Sequence, residues 1–166
     1  TVVSNFAKKI QLKKMKLIFE KPENGWLPIR FENEDFRLEF TSSKIPENPT
    51  DEFCKNLILS SQGLKTKTVF NIEPHNYIFN LDKDQKNYQF KIVFHSESID
   101  RFGSTTIDKK VVFKKVGDFE EIVLPLYRSL KKFTTLDYKV SDWKKIESSK
   151  IEKLDKIIAK QKAIRN

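Results

Sequence analysis

The chain has 166 residues, enough for one domain that buries about 70% of its unfolded surface without a staple. Its 32 Lys+Arg against 23 Asp+Glu give a formal net charge of +9. Two His, one Cys and four Gly leave little from which to build a metal site, a thiol nucleophile or a phosphate-cradling loop. The composition argues against catalysis and for a domain that works by presenting a surface.

Apolar residues make up 38% and charged residues 33%, so the core is small and its 14 Phe supply much of it. No apolar run approaches the roughly 18–20 residues of a membrane span. Cys54 has no partner in the chain, which excludes an internal disulfide and favours a reducing, cytoplasmic setting. Residues 1–14 are expected as an N-terminal extension before a single α+β domain of 15–166. Within the extension, Phe6 and Ile10 at i,i+4 allow a short helix. Lys16-Leu17-Ile18-Phe19 then reads as a strand.

Leu27, Ile29 and Phe31 alternate with Pro28, Arg30 and Glu32, and Phe36, Leu38 and Phe40 alternate with Arg37 and Glu39. The polar link Asn33-Glu34-Asp35 makes these runs a hairpin with one wet face. Pro28 predicts a sheet edge or a bulge. Asn48 as N-cap, Pro49 at N1, acidic Asp51 and Glu52, and a stop at Gly63 predict a helix carrying Phe53, Leu57 and Ile58.

Strands resume at Thr68–Ile72, Tyr77–Leu81, Tyr88–Phe94 and around Val111 and Phe113, with a loop expected over 96–106. Asp118 and Glu121 form a capping-box pattern, and the helical face that follows contains Pro125. That proline predicts either a kink or an extended 119–124 with the helix starting at Pro125. A helical stretch is expected near Ser141-Asp142, carrying Trp143 and Ile146. Ser149 and Glu152 cap a last helix with Ile151, Leu154 and Ile158 inward. The order predicts an α+β fold: one antiparallel sheet of about six strands, helices packed on one face, and C-terminal helices.

His75 and His95 are the candidates for metal binding or acid–base work. Matching the apolar sets pairs Tyr77 with Phe94, Phe79 with Ile92 and Leu81 with Phe90. That register sets His75 opposite Ser96 on the apolar side and turns His95 to the wet side, so the two cannot share an ion. Cys54 falls in the first turns of a helix, where a thiol pKa is lowered, but no base can be placed beside it, and a small buried hydrophobe is the plainer reading. Asp82-Lys83-Asp84 lacks the glycine and the distal glutamate of a calcium loop.

The basic balance is the strongest lead. Arg30, Arg37 and Lys91 occupy wet-face strand positions, and lysines crowd the C-terminal region around and beyond Trp143. These four, Arg30, Arg37, Lys91 and Trp143, are the candidate partner-binding residues. No catalytic residue, metal site or cofactor is expected. The aromatics sit at core parity rather than between basic residues, which argues against a stacking platform for single strands.

The segment Phe19-Glu20-Lys21-Pro22 with Gly25-Trp26-Leu27-Pro28-Ile29, the run Leu124–Lys132 and the tail around Trp143 resemble small bacterial proteins of the toxin-immunity type. The resemblance implies a cytoplasmic, non-catalytic module that binds and blocks one cognate toxin. Immunity proteins against nucleases are usually acidic, whereas this chain is basic. The resemblance therefore implies an acidic toxin or an enzyme of another class as partner. Two other readings stand beside it: a basic nucleic-acid-associated module with weak, non-specific affinity, and an enzyme whose site the sequence does not reveal.

Overall fold

Alternation from Trp26 to Ser43 resolves into the expected hairpin, in a computed structural model that describes residues 14–165. Strand β1 (Lys16–Phe19) pairs antiparallel with β2 (Trp26–Asn33), and β2 with β3 (Phe36–Ser43), giving a three-stranded sheet. Helix α1 (Pro49–Ser61) follows, then β4 (Thr66–Asn71), β5 (Asn76–Asp84), β6 (Asn87–Ile99) and β7 (Thr105–Gly117) as a second, four-stranded antiparallel sheet in that order. A π-helical turn (Phe119–Val123) runs into α2 (Leu124–Thr134), and α3 (Ser148–Arg165) closes the described chain. The α+β class and the C-terminal helices are as expected, but the single six-stranded sheet is not: among the described residues, seven strands divide into two sheets. Alternation shows which side of a strand is wet, not which strands share hydrogen bonds, so this division was not legible.

The inner faces of both sheets and the helices converge on one phenylalanine-rich core. Phe31 meets Phe90 and Phe113 across the sheets at 5.8 and 4.7 Å, and Phe40 meets Tyr77 at 4.4 Å. From α1, Phe53 packs on Phe70 and Phe79 of the larger sheet and on Phe19 of the smaller. From α2, Phe133 packs on Phe19 at 5.7 Å. Phe70, Phe79, Phe90 and Ile92 are fully buried as expected, while Phe36, Leu38, Phe40 and Phe94 are half-buried at the margins.

Helix α1 forms where its signals place it. Asn48 Oδ1 accepts from Asp51 N, Pro49 opens the first turn, and Gly63 ends it at φ +87°. Three expectations need correction. Pro28 lies in β2, the central strand, not at an edge. Its carbonyl accepts from Glu20 N at 3.0 Å, so its ring nitrogen faces the β1 side just past the end of β1, where no ladder donor is required. Of the two alternatives at Pro125, the extended segment is not formed: the chain is helical from Phe119 through Thr134. The capping box of Asp118 and Glu121 opens a π turn in which Leu124 N donates to Phe119 O, and Pro125 falls in the first turn of α2, where its missing N–H costs little. The stretch at 141–146 is a single turn, held by Lys139 O accepting from Asp142 N and Trp143 N, and α3 starts only at Ser148. The expected extension lies almost wholly outside the described residues, which begin at Lys14, and so does its short helix.

Candidate interaction surface

Register decides which side chains share the outer face of the four-stranded sheet, the face turned away from the core. Val69 stands beside Ile78, Ile78 beside Val93, and Val93 beside Val111, giving one apolar row across all four strands. Val69 is 44% and Val111 52% exposed, so both ends of the row are open. At the β4 end the row meets a cleft of about 380 Å³ lined by Ile45, Pro46, Pro49 and Val69 among others. On one side lies the row Lys67, Asn80, Lys91, Lys114; on the other, Asn71, Asn76, His95, Lys109. A bulge between Ile92 and Val93 gives β7 one extra residue, Val112. That residue lets Val111 face outward while Phe113 still reaches the core.

Pairing of β5 with β6 ends at Asn76 and His95, but β6 and β7 continue together to Ile99 and Thr105. Residues 96–108 are therefore a two-stranded arm that reaches roughly 15 Å beyond the third strand at about 3.3 Å per residue. The expected loop over 96–106 shrinks to a tight tip. Asp100 organises it: one carboxylate oxygen accepts from Phe102 N and Ser104 N at 2.8 and 2.9 Å, and Gly103 takes φ +80°. Phe102 is 80% exposed at this tip, with the Arg101 guanidinium 5.0 Å from its ring centroid. Ile99 and Ile107 are also exposed, on the same side of the arm as the apolar row.

The partner-binding candidates do not come together. Arg30 and Arg37 lie on the other, three-stranded sheet among acids. Arg30 pairs with Glu20 and Glu32 at 3.6 and 3.5 Å, and Arg37 with Glu39 and more loosely with Glu32. The hydrogen bond to Glu39 raises the Arg37 pKa, and the same bond lowers that of Glu39. Trp143 is fully buried, and its indole Nε1–H donates to Thr50 Oγ1 at 2.9 Å, so it is a core residue and presents nothing to a partner. Only Lys91 stands on the outer face of the larger sheet. Lys67, Lys109, Lys110 and Lys114 join it in making no ion pair among the described residues.

The register puts His95 on the outer face as expected, but His75 lies just before β5, outside the ladder, and is not paired with Ser96. Tyr77, Phe79 and Leu81 oppose Phe94, Ile92 and Phe90, and His95 faces outward with Nδ1 3.2 Å from Asn76 Nδ2. His75 packs on Phe94 at 5.6 Å. Cys54 is fully buried, and burial pushes its thiol up to about 12, the reverse of an activated nucleophile. Among the described residues, no group of three or more His, Cys, Asp or Glu is placed to hold a metal ion. No helix among them is long and apolar enough to cross a membrane.

Period-two alternation did not reveal the apolar row or the arm. A signal was present: Val69 precedes Phe70, Ile78 sits between Tyr77 and Phe79, and Val93 between Ile92 and Phe94. Consecutive apolar residues in a strand mean that both faces are apolar there. No family model, curated protein or solved structure matches this chain.

Proposed function

We propose that this protein is a non-catalytic binding module that docks one protein partner on the outer face of its four-stranded sheet and the adjoining arm. The observation that carries this reading is the apolar row Val69–Ile78–Val93–Val111, buried at Val93 and half-buried at Ile78 but exposed at both ends, continued on the arm by the exposed Ile107, Ile99 and Phe102. Contiguous exposed apolar surface rimmed by polar groups is the usual mark of a protein-binding site, and exposed aromatics anchor such sites. The rim here is basic, so the partner is acidic on its matching surface. A blocker of a cognate acidic toxin, as in immunity proteins, is the role this surface would serve.

Affinity capture from the source organism with the wild-type chain and with a Val69→Glu, Val111→Glu variant tests it. One protein retained by the wild type and lost by the folded variant is expected. Identical captures by both would remove the surface from the interaction.

A second reading draws on the aligned Lys67, Lys91 and Lys114, which could follow a polyanion backbone. The apolar row beside them has no use in that reading, so it ranks second.

A further inference from the structure

The β7 strand is an edge of the four-stranded sheet, and its outer half, from Thr105 to Val111, is exposed throughout. Alternate N–H and C=O groups along it point away from β6, and no strand among the described residues receives them. The inner half differs: Phe113 packs on Phe31 and Phe36, and Lys115 Nζ donates to Asn33 Oδ1 at 3.2 Å. The open part of the edge is thus a defined segment on a two-stranded arm that has no third strand among the described residues. Two-stranded ribbons are marginal in water, and a third strand is what stabilises them.

We infer that an extended acidic segment of the partner adds to the sheet as an antiparallel strand along the open edge of β7. The inference rests on the protein-binding reading above and names the partner's chemistry. Charge selects the occupant. Strand β7 carries Lys109, Lys110, Lys114 and Lys115 against the single acid Asp108. Lys109 and Lys110 make no ion pair among the described residues and project to opposite faces of the sheet, so an added strand meets a cation on each side. A second copy of this chain would bring the same lysines to the same edge, and edge lysines oppose self-pairing. The free edge of β6 beyond β5 carries Glu97 instead, which directs an acidic strand to β7. Main-chain hydrogen bonds then supply affinity, and side-chain pairing with Ile107, Lys109, Lys110 and Val111 supplies selectivity.

The probe is the fluorescein-labelled peptide Thr-Val-Glu-Glu-Thr-Val-Thr. Run antiparallel, it sets its valines opposite Val111 and Ile107 and its glutamates opposite Lys110 and Lys109. Fluorescence anisotropy should show saturable binding to the whole chain, lost when the peptide amides facing β7 are N-methylated. Lys109→Glu with Lys110→Glu should weaken it at least about tenfold, and a peptide with both glutamates replaced by lysine should restore it. In the wild-type chain, amide exchange from Ile107 to Val111 should slow on adding the peptide, a readout that needs no variant. No saturable binding up to about 1 mM peptide, or equal binding of the N-methylated peptide, overturns the inference. So does sedimentation of the free chain as a dimer. If the peptide fails while partner capture still depends on Val69 and Val111, the edge inference falls alone and the binding reading stands.

Discussion

Trp143 shows how a side chain that reads as a surface anchor can be a structural pin. It is fully buried, and its indole N–H reaches Thr50 in the first turn of α1, tying the stretch before α3 to that helix. Trp143→Ala should destabilise by about 3–5 kcal/mol through lost burial and the cavity left behind. Trp143→Phe, which keeps most of the volume, should cost about 1–2 kcal/mol. Urea denaturation followed by circular dichroism checks both, and a near-neutral Trp143→Ala would return the residue to the surface.

Tyr127 and Tyr138 give a pH signature. Burial, with a 2.6 Å hydrogen bond to Asp155, pushes Tyr127 up from 10.0 to about 12, and burial alone does the same to Tyr138. The Lys150 pKa is also raised, first by its hydrogen bond to Asp51. For each of these groups the folded value lies above the unfolded one. Their stabilisation is therefore fully present below pH 10 and falls as pH rises toward 12, where the unfolded chain binds fewer protons. Stability should decline with pH across that window, and the tyrosinate absorbance should rise mainly with unfolding. Free titration of all four tyrosines near 10 in the folded protein would contradict it.

Of the glycines at Gly25, Gly63, Gly103 and Gly117, the one with least room for a side chain is Gly117, in the turn from β7 into α2. A Cβ at Gly117 would lie 2.9 Å from Glu121 Cβ, and Glu121 is the residue whose carboxylate accepts from Asp118 N in the capping box. Gly117→Ala should push Glu121 out of that box and cost about 1–3 kcal/mol. Arg165 at the far end of α3 pairs with the same Asp118 at 3.0 Å, so hydrogen exchange in the last turn of α3 should rise together with that of the π turn. Loss of stability without faster exchange at either place would mean that the box is not the weak point. The Asp118–Glu121 spacing was legible in the sequence because a cap is a local device. The π turn was not, because it depends on how Phe119, Ile122 and Val123 seat in the core while Pro125 denies the helix one donor.

Across the whole molecule, charge is distributed rather than gathered. Lys67, Lys91, Lys109 and Lys114 of the larger sheet lie on its outer face, while α3, with Lys153, Lys156, Lys160 and Lys162, packs on α1 on the core side. Arg30 and Arg37 are offset by Glu20, Glu32 and Glu39 on the smaller sheet. A net charge of +9 spread in this way should give only weak, non-specific polyanion binding that falls steeply with salt. Mobility-shift titrations over a salt series should show a weak complex at low salt and none near physiological ionic strength. A nanomolar complex that survives physiological salt and is abolished by Lys91→Glu would put the nucleic-acid reading ahead of the protein-binding one.

Local chemistry wrote the parts of this protein into its sequence. Caps at Asn48 and Asp118, the stop at Gly63, the β2–β3 hairpin and the β5–β6 register all follow from short-range rules, because capping, turn conformation and period-two burial involve residues that are near neighbours or direct cross-strand partners. Three features depended on contacts between distant segments. Among the described residues, seven strands divide into two sheets, with α1 lying between β3 and β4 in the chain. Trp143 lies inward, fully buried, with Thr50 accepting from its indole. Val69, Ile78, Val93 and Val111 become one row because four separately coded strands align in register. The candidate surface belongs to this second group: each of its residues is ordinary within its own strand, and only the pairing of the strands makes them one surface.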